Sequence, residues 1–341
     1  MPILKVYLRD SILKYVIAVD VGATNLRVGI YTQNCETLKS VTIRTPTEGG
    51  PDSISEVIHE LSIKLLSELR LNKHEIVGIG VGTIGPLNIK KGEVVGTPNL
   101  PLRSFRLREP LMEFFNTDNV FVVNDCVAAV WGEKLFGHGA YLNNIVYVTI
   151  STGIGGGVIV DNNLLLGKDG NAHEVGHVVV NYNGGLRCNC GGIGHWEAYA
   201  SGSGIIKFVK HYIESRKPTR STTLYELLRS DSLTPERFFD LVRSNDELAN
   251  EICYELCRIN AAGLASIINV YDPELITIGG SVALANYELI IEPAISQLHL
   301  YTINRAPEIK PTKLGKEAVL KGAASLVIKP PKRLLEIYNM L

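Results

Sequence analysis

The sequence has no long hydrophobic run, although 45% of its residues are hydrophobic. A membrane-spanning helix needs roughly 20 consecutive, mainly apolar residues, and no segment approaches that length. The first residues, MPILKVYLRDSILKY, mix charged and apolar side chains and lack the apolar core of a signal peptide. We therefore expect a cytoplasmic protein without a membrane span.

An excess of charge of either sign is also missing. Lys and Arg number 34 against 35 Asp and Glu, which gives a formal net charge of −1. The basic residues are spread evenly, whereas nucleic-acid-binding domains gather them on one face. We therefore expect no nucleic-acid partner. A chain of 341 residues suffices for one large domain or two ordinary ones with a substantial core.

Cysteine is sparse, with six residues in the chain. In a reducing compartment, clustered cysteines indicate a metal site more often than a disulfide. Cys188, Cys190 and His195 lie in one glycine-rich stretch, and His177 lies eleven residues before Cys188. Nitrogen and sulfur donors of this kind suit a closed, tetrahedral zinc site of structural type. A reduced cysteine pair and a histidine without metal is the alternative.

The same stretch opens with His173-Glu-Val-Gly-His177, which also fits the His-Glu-x-x-His motif of zinc proteases. That motif requires a helix that brings both histidines to one face. Here a glycine lies inside the motif and a β-branched run, residues 178–180, follows it. Such a pattern is typical of a turn that leads into a strand, which disfavours a protease.

Apolar runs alternate with amphipathic segments, which predicts an α/β fold. Strands are expected at 15–19, 28–31, 76–81, 120–123, 145–150 and 274–278. A further strand is expected to follow the glycine turn after 150 and to end at 160. Helices are expected at 51–71, 109–115, 127–136, 200–216, 223–228, 235–243, 246–270, 287–297 and 316–327. Cys253 and Cys257 share one of these helices and are expected in the core.

Two of the expected strand pairs are joined by turns rich in glycine and hydroxyl residues. The first turn follows Asp20 and includes Gly22 and Thr24, and the second is Ser151–Gly153, about 130 residues later. An acid, a hydroxyl and unpaired amide groups suit Mg²⁺ and phosphate oxygens. Two such turns can hold one polyphosphate from both sides. A plain hairpin is the alternative for either turn taken alone.

Asp125 directly follows the expected strand 120–123 and its neighbour Asn124. In α/β sheets, residues just beyond the carboxyl end of a strand face the ligand crevice. Asp125 is therefore a candidate for binding or catalysis. Its alternative role is to cap the helix that follows.

In their order along the chain, these motifs resemble those of the ROK family of sugar kinases, part of the hexokinase and actin-like ATPase superfamily. The shared motifs are Asp20-x-Gly-x-Thr24, Asn124-Asp125, Ser151-Thr-Gly-x-Gly, Glu174-x-Gly-His177, Cys188-x-Cys190-Gly-x-x-Gly-His195-x-Glu197 and Gly279-Gly280. The resemblance implies two α/β domains of RNase H-like topology, 1–124 and 125–315, with ATP and sugar in the cleft between them. A C-terminal helix at about 316–341 would pack back onto the first domain.

The resemblance also implies roles for individual residues. Asp125 would be the general base that activates a hexose hydroxyl, with glucose as the first candidate. The residues expected to hold the sugar are Asn99, Asn124, Asp125, Glu174, His177 and Glu197. Those expected to bind Mg·ATP are Asp20, Gly22, Thr24, Asn25, Arg27, Ser151, Thr152, Gly153, Gly279, Gly280 and Ser281.

For the metal, the resemblance implies a structural Zn²⁺ held by His177, Cys188, Cys190 and His195. The ion would order the loop whose ends carry Glu174 and Glu197, without touching the substrate. Members of the family habitually form homodimers, so we also expect a homodimer or a larger homo-oligomer.

The sequence departs from the family pattern at two positions. His195 replaces the last zinc cysteine, and Ala23 replaces the second glycine of the first turn. Some relatives are repressors with a DNA-binding domain ahead of the first strand, and the segment before Tyr15 is too short for one. We therefore expect an enzyme. The alternatives are a kinase for an N-acetylated or other hexose and a non-catalytic sugar sensor.

Overall fold

The structure is a computed structural model that describes residues 14–183, 185–216 and 222–340. The elements of the first part of the chain are strands β1 (Tyr15–Val21), β2 (Asn25–Thr32) and β3 (Thr37–Arg44), helix α1 (Ser53–Leu69), strands β4 (Ile76–Thr83), β5 (Leu87–Asn88), β6 (Glu93–Val94) and β7 (Phe105–Arg106), helix α2 (Arg108–Phe115) and strand β8 (Val120–Asn124).

The remaining elements start with the helix that follows β8. They are α3 (Asp125–Phe136), β9 (Ile145–Ile150), β10 (Ile154–Val160), β11 (Asn163–Leu164), α4 (Glu197–Ala200), α5 (Gly202–Arg216), α6 (Thr223–Arg229), α7 (Pro235–Arg243), α8 (Glu247–Tyr271), β12 (Leu275–Gly279), α9 (Ser281–Ala285), α10 (Tyr287–Ile290), α11 (Glu292–Ser296), β13 (Glu308–Pro311), α12 (Ala318–Ile328) and α13 (Lys332–Ile337).

Two five-stranded sheets are built on the same plan. Their strand orders are β3-β2-β1-β4-β8 and β11-β10-β9-β12-β13. In each sheet a central strand, β1 or β9, pairs antiparallel with the next strand of the chain and parallel with a later one. The two hairpins predicted from the glycine turns are confirmed, and they occupy equivalent positions in the two sheets.

The strands that were predicted are the buried ones. All seven residues of β1 are buried, so its continuous apolar sequence suits a strand covered on both faces. Strand β3 is mostly exposed at the edge of the first sheet. It was not predicted because its alternating polar residues carry little hydrophobic signal. The same holds for the two-residue strands β5, β6 and β7.

Helix α12 packs against β1 and β4 of the first sheet and against α3. Two glycines permit this close approach. A Cβ atom on Gly80 would lie 1.8 Å from the carbonyl oxygen of Ala323, and one on Gly322 would lie 1.8 Å from that of Ala128. Helix α3 in turn contacts strands of both sheets. The helix that begins at Asp125 is therefore held firmly between the two halves of the molecule.

The C-terminal helices differ from the prediction in two ways. The helix expected at 287–297 is split into α10 and α11, with Pro293 in the first turn of α11. Proline lacks an N–H donor and suits a helix start better than a helix interior. The C-terminal helix expected at about 316–341 ends at Ile328, and after Pro330 and Pro331 the chain forms a separate helix, α13. Among the described residues, the helices are all too short or too polar to cross a membrane.

Candidate active site

The predicted site residues lie at the ends of strands from both sheets. Asp20 is near the end of β1, Asp125 directly follows β8, and the turn Ser151–Gly153 directly follows β9. Gly279 is the last residue of β12. Residues at these ends line the ligand crevice of an α/β fold.

Asp125 is the first residue of α3. Its Oδ1 accepts a hydrogen bond of 2.8 Å from the N–H of Cys126, and Asn124 Oδ1 accepts from the same N–H at 2.9 Å. Asn124 is the N-cap, so capping does not account for Asp125. The side chain keeps some exposure to solvent, while burial of the carboxyl group among protein atoms raises its pKa above the ordinary value. A partly exposed carboxylate of raised pKa is suited to accept a proton.

Asp20 is the deepest acid of the crevice, with 4% of its surface exposed. Burial raises its pKa to about 7, the nearby Asp125 adds to the increase, and Arg27 opposes it. The guanidinium of Arg27 lies 2.5 Å from Asp20 Oδ2 and also donates to the carbonyl oxygen of Lys316 at 2.7 Å. Arg27 is thus bound by the protein itself on two sides, a role that the phosphate-binding prediction did not include.

Glu174 and Glu197 complete a set of four interacting carboxylates. Burial raises the pKa of Glu174, and the charges of Asp125 and Glu197 raise it further, while His177 lowers it. Glu174 and Asn124 both border Gly85, since a Cβ atom there would be 3.6 Å from Glu174 Oε1 and from Asn124 Nδ2. The structure therefore brings these predicted sugar-binding groups together.

In the glycine turns, several side chains are exposed to solvent and hydrogen bonds hold the backbone. Thr24, Asn25, Thr152 and Ser281 are exposed. The first turn is closed by a bond of 2.9 Å from Gly22 N–H to the carbonyl of Asn25, and the second by one of 2.9 Å from Ser151 N–H to the carbonyl of Gly153. Gly280 has a φ of +90°, and a Cβ atom there would lie 2.3 Å from the carbonyl oxygen of Ile150. The turn at Gly280 therefore abuts the end of β9.

The four predicted metal ligands form one cluster. One donor atom from each of His177, Cys188, Cys190 and His195 lies within 4.8 Å of all the others. The His177 Nδ1 to His195 Nδ1 and Cys190 Sγ to His195 Nδ1 distances are both 3.3 Å, and Cys188 Sγ lies 3.9 Å from His177 Nδ1. Tetrahedral zinc with ordinary bond lengths separates its donors by roughly 3.3–3.8 Å. The donor set therefore fits zinc.

His173 has no part in this cluster, so the protease alternative is wrong. His173 is 1% exposed, and its Nε2 lies 3.0 Å from the carbonyl oxygen of Gly170. Val175–His177 form a single 3₁₀ turn, and the strand expected after it is reduced to one bridge between Val179 and His195. A protease motif would need an α-helix here.

The cluster touches the carboxylates of the crevice. His177 Nε2 lies 3.5 Å from Glu174 Oε2, and the Cys188 thiol donates to Glu197 Oε1 at 3.4 Å. A carboxylate on the far nitrogen of a ligating histidine is a common way to fix the ring. Any order imposed on the cluster is therefore passed on to Glu174 through His177, and to Glu197 along the chain from His195, because a zinc-bound Cys188 has no proton left to donate.

Two residues of the site were missed from the sequence. Asn171 exchanges two hydrogen bonds of 2.9 Å with the backbone of Leu87, which binds the loop before Glu174 to strand β5. The buried Cys126 side chain acts on the Asp125 carboxyl group and lowers its pKa, which opposes the effect of burial. Neither residue belongs to a motif.

Asn99, which was predicted to hold the sugar, lies exposed between β6 and β7, where its N–H bonds to the Thr97 hydroxyl at 3.3 Å.

This chain is similar to known proteins in both sequence and structure. The chain is 37% identical over 318 residues to a glucokinase of Pyrobaculum calidifontis, a match that covers 93% of this chain and 96% of the relative. A ROK hexokinase from Thermus thermophilus superposes with a TM-score of 0.75 at 30% identity, covering 91% of this chain and 96% of that one. A ROK family glucokinase from Streptomyces griseus, solved with glucose and AMPPNP, gives 0.74 at 28% identity, covering 92% and 98%.

These similarities confirm the predicted two-domain, actin-like ATPase fold. The profile of the ROK family matches residues 16–330, which is most of the sequence. The chain belongs to the ROK family.

Proposed function

We propose that this protein is an ATP-dependent glucokinase that converts glucose to glucose 6-phosphate. The observation that carries the proposal is the position of Asp125, a partly exposed acid of raised pKa between the residues predicted to bind sugar and those predicted to bind phosphate. The similarity to glucokinases over nearly the whole chain supports the choice of glucose.

On the sugar side, Asp125 accepts the proton of the attacking hydroxyl. A sugar hydroxyl is a poor nucleophile near neutral pH, so a positioned base assists its attack on phosphorus. The bond from Cys126 N–H to Oδ1 fixes the orientation of the carboxyl group. Asn99, Asn124, Glu174, His177 and Glu197 are proposed to hold the other hydroxyls of the sugar.

On the nucleotide side, Mg·ATP is the substrate. Mg²⁺ neutralises the charge that develops on the transferred phosphoryl group. Asp20 is proposed to face the ion, and the turns after β1 and β9 offer N–H groups to the phosphates, with Gly279–Ser281 beside the rest of the nucleotide. Closure of the crevice would exclude water, which competes with the sugar as acceptor.

The cluster of His177, Cys188, Cys190 and His195 is proposed to hold a structural Zn²⁺. Four protein donors leave no open position, so the ion would order the loop and take no part in phosphoryl transfer.

The protein is further proposed to act as a homodimer, which light scattering would test.

Glucose-dependent release of ADP tests the function. We expect release that requires both ATP and a hexose, fastest with glucose in a panel that includes N-acetylated hexoses. We expect a kcat in the range typical of enzymes, about 1–10³ s⁻¹. A panel in which an N-acetylated hexose wins would redirect the substrate assignment, and the absence of ADP release with every hexose would overturn the proposal.

The pH dependence of nucleotide binding is set by Asp20. Its pKa of about 7 means that the carboxyl group is neutral below that pH and ionised above it. Because Mg²⁺ prefers ionised oxygen ligands, the affinity for Mg·AMPPNP should fall about tenfold per pH unit as the pH drops below 7. Calorimetric titration of the sugar-free protein at pH 5.5 to 8 measures this.

Two variants distinguish the contribution of Asp20 to this pH dependence from that of the nearby Asp125. Asp20→Asn should bind Mg·AMPPNP weakly at every pH, and only the decline caused by protonation of the nucleotide's own phosphate should remain below pH 7. Asp125→Asn removes a nearby negative charge that raises the pKa of Asp20, so the decline should move to lower pH. A wild-type affinity that does not change with pH would show that Asp20 does not face the ion.

A further inference from the structure

The first glycine turn lacks the backbone conformation that its length favours. Strands β1 and β2 are antiparallel, and the bond from Gly22 N–H to the Asn25 carbonyl leaves Ala23 and Thr24 as the two central residues of the connection. Two-residue hairpin loops favour a positive φ at one or both central residues, because that backbone twist matches the strands. Ala23 and Thr24 both belong to the described chain, and neither has a positive φ. The turn therefore needs support from outside the hairpin.

Thr45, the residue directly after β3, supplies this support with two hydrogen bonds. Its hydroxyl donates to the carbonyl oxygen of Gly22 at 2.7 Å, and its N–H donates to that of Thr24 at 3.1 Å. Strand β3 ends at Arg44, which is paired with Asn25, so the register of the sheet brings Thr45 alongside the turn. Thr45 is 5% exposed, and its hydroxyl is thus occupied within the protein.

The position of the Thr45 hydroxyl is restricted by the local sequence. Pro46 follows directly, and a residue before proline is confined to extended backbone conformations. Threonine is branched at Cβ, which limits its side-chain rotamers further. The donor is therefore held in place before any ligand binds.

The Thr45 hydroxyl takes the carbonyl that would otherwise close the hairpin. In an antiparallel ladder, two residues of a hydrogen-bonded pair exchange both of their N–H to carbonyl bonds. Within the described chain, Gly22 and Asn25 form only one of the two, from Gly22 N–H to the Asn25 carbonyl. The Gly22 carbonyl is bound by Thr45 instead. The N–H of Asn25 is thereby left for another acceptor.

The bonds to Thr45 also set the direction of the N–H groups in the turn. In a trans peptide the C=O and the N–H of one plane point in opposite directions. The carbonyls of Gly22 and Thr24 point to Thr45, so the N–H groups of Ala23 and Asn25 point away from it. Anions bind where successive backbone N–H groups are left without protein acceptors.

We propose that Thr45 is a positioning residue for the nucleotide, whose hydroxyl holds the first glycine turn open so that the N–H groups of Ala23 and Asn25 can bind a phosphate. The inference rests on the proposed glucokinase function, in which this turn binds Mg·ATP. Without the hydroxyl, the Gly22 carbonyl accepts from Asn25 N–H and the hairpin closes. One phosphate donor is then lost, while the residues proposed to hold the sugar are unaffected.

Thr45→Val tests this role, because valine keeps the branched shape and the backbone bond to Thr24 but has no hydroxyl. Its Kd for Mg·AMPPNP should rise about fivefold, the contribution of one hydrogen bond, and its KM for ATP should rise by the same factor. Its Kd for glucose should stay at the wild-type value. Thr45→Ser restores the hydroxyl and should bring nucleotide binding back close to wild type. Calorimetry with each ligand and steady-state kinetics measure these values.

Thr42→Val is the matched control. Thr42 is an exposed threonine of β3, three residues before Thr45, and its replacement should leave the binding of both ligands unchanged. An unchanged nucleotide Kd in Thr45→Val would overturn the inference. So would an equal loss of glucose and nucleotide binding that Thr45→Ser does not restore, since that pattern indicates a general structural role.

Amide hydrogen exchange followed by NMR tests the same inference on the wild-type protein. Mg·AMPPNP should slow the exchange of the Ala23 and Asn25 amides, because a phosphate would accept from both. Unchanged exchange at both amides, with nucleotide bound, would overturn the inference even if Thr45→Val failed to fold. Absence of nucleotide binding together with absence of ADP release would instead remove the proposed function.

Discussion

Asp125→Asn should lower kcat for glucose phosphorylation by roughly 10²- to 10⁴-fold, the usual contribution of general base catalysis. The amide keeps the size of the carboxyl group and can still accept the bond from Cys126 N–H, so the helix start is preserved. It cannot accept the proton of the sugar hydroxyl. Steady-state turnover and calorimetric glucose binding, measured on the same preparation, should show a large loss of kcat and a Kd close to wild type.

Asp118→Asn is the matched control for this variant. Asp118 is an exposed aspartate just before β8, whereas Asp125 follows the other end of that strand. It should leave turnover unchanged. Near-normal turnover in Asp125→Asn would show that Asp125 is not the base. Loss of glucose binding together with kcat would mean that Asp125 mainly holds the sugar.

The fold was predictable where strands are buried and turns carry glycine. Most residues are apolar in strands β1, β4, β8, β9 and β12, because both faces of each strand are covered. A continuous apolar run therefore predicts each of these strands without information from the rest of the chain. The duplicated hairpin was visible in the two turns after Asp20 and Ile150. Edge strands such as β3 and β13 were missed, since none of their residues is fully buried and they carry no continuous apolar run.

The site was predictable wherever chemistry demands particular residue types at short spacing. Cys188-x-Cys190 with His195 is such a case, and the four donors do meet. Contacts between distant segments left no such signal. Asn171 reaches Leu87 across 84 positions, and Arg27 reaches Lys316 across 289. Such bonds form only in the assembled fold, so no local pattern of residues predicts them.

The contacts of residues 197–203 with the second glycine turn were also invisible in the sequence, and they change one expectation. From sequence alone, loss of zinc should weaken sugar binding and leave ATP affinity little changed, because only Glu174 and Glu197 flank the loop. In the structure, Glu197 also holds Ile154 N–H, and its helix leads directly to the bonds at Ser151 and Thr152. Disorder in the metal loop is therefore expected to reach the nucleotide turn as well.

Cys188→Ser and Cys190→Ser should each lose the metal from a wild-type protein that carries about one zinc per chain. Free energies of roughly 10–16 kcal/mol accompany structural zinc binding in small domains, so the loop should lose much of its order without the ion. We expect a higher Kd for glucose, a smaller increase in the Kd for Mg·AMPPNP, and a lower melting temperature. Metal analysis, calorimetry and thermal unfolding measure the three effects.

Two further variants make the zinc result specific. Cys253→Ser removes a buried thiol of helix α8, outside the cluster, and should retain the metal. His173→Ala should also retain it, because His173 bonds to Gly170 and not to the cluster, even if loss of the buried ring lowers stability. Full zinc in Cys188→Ser and Cys190→Ser would show that the ion is held elsewhere. In that case the positions of Glu174 and Glu197 would be fixed by the protein alone, through Asn171 and Ile154. Both Cys variants should then bind glucose like the wild type.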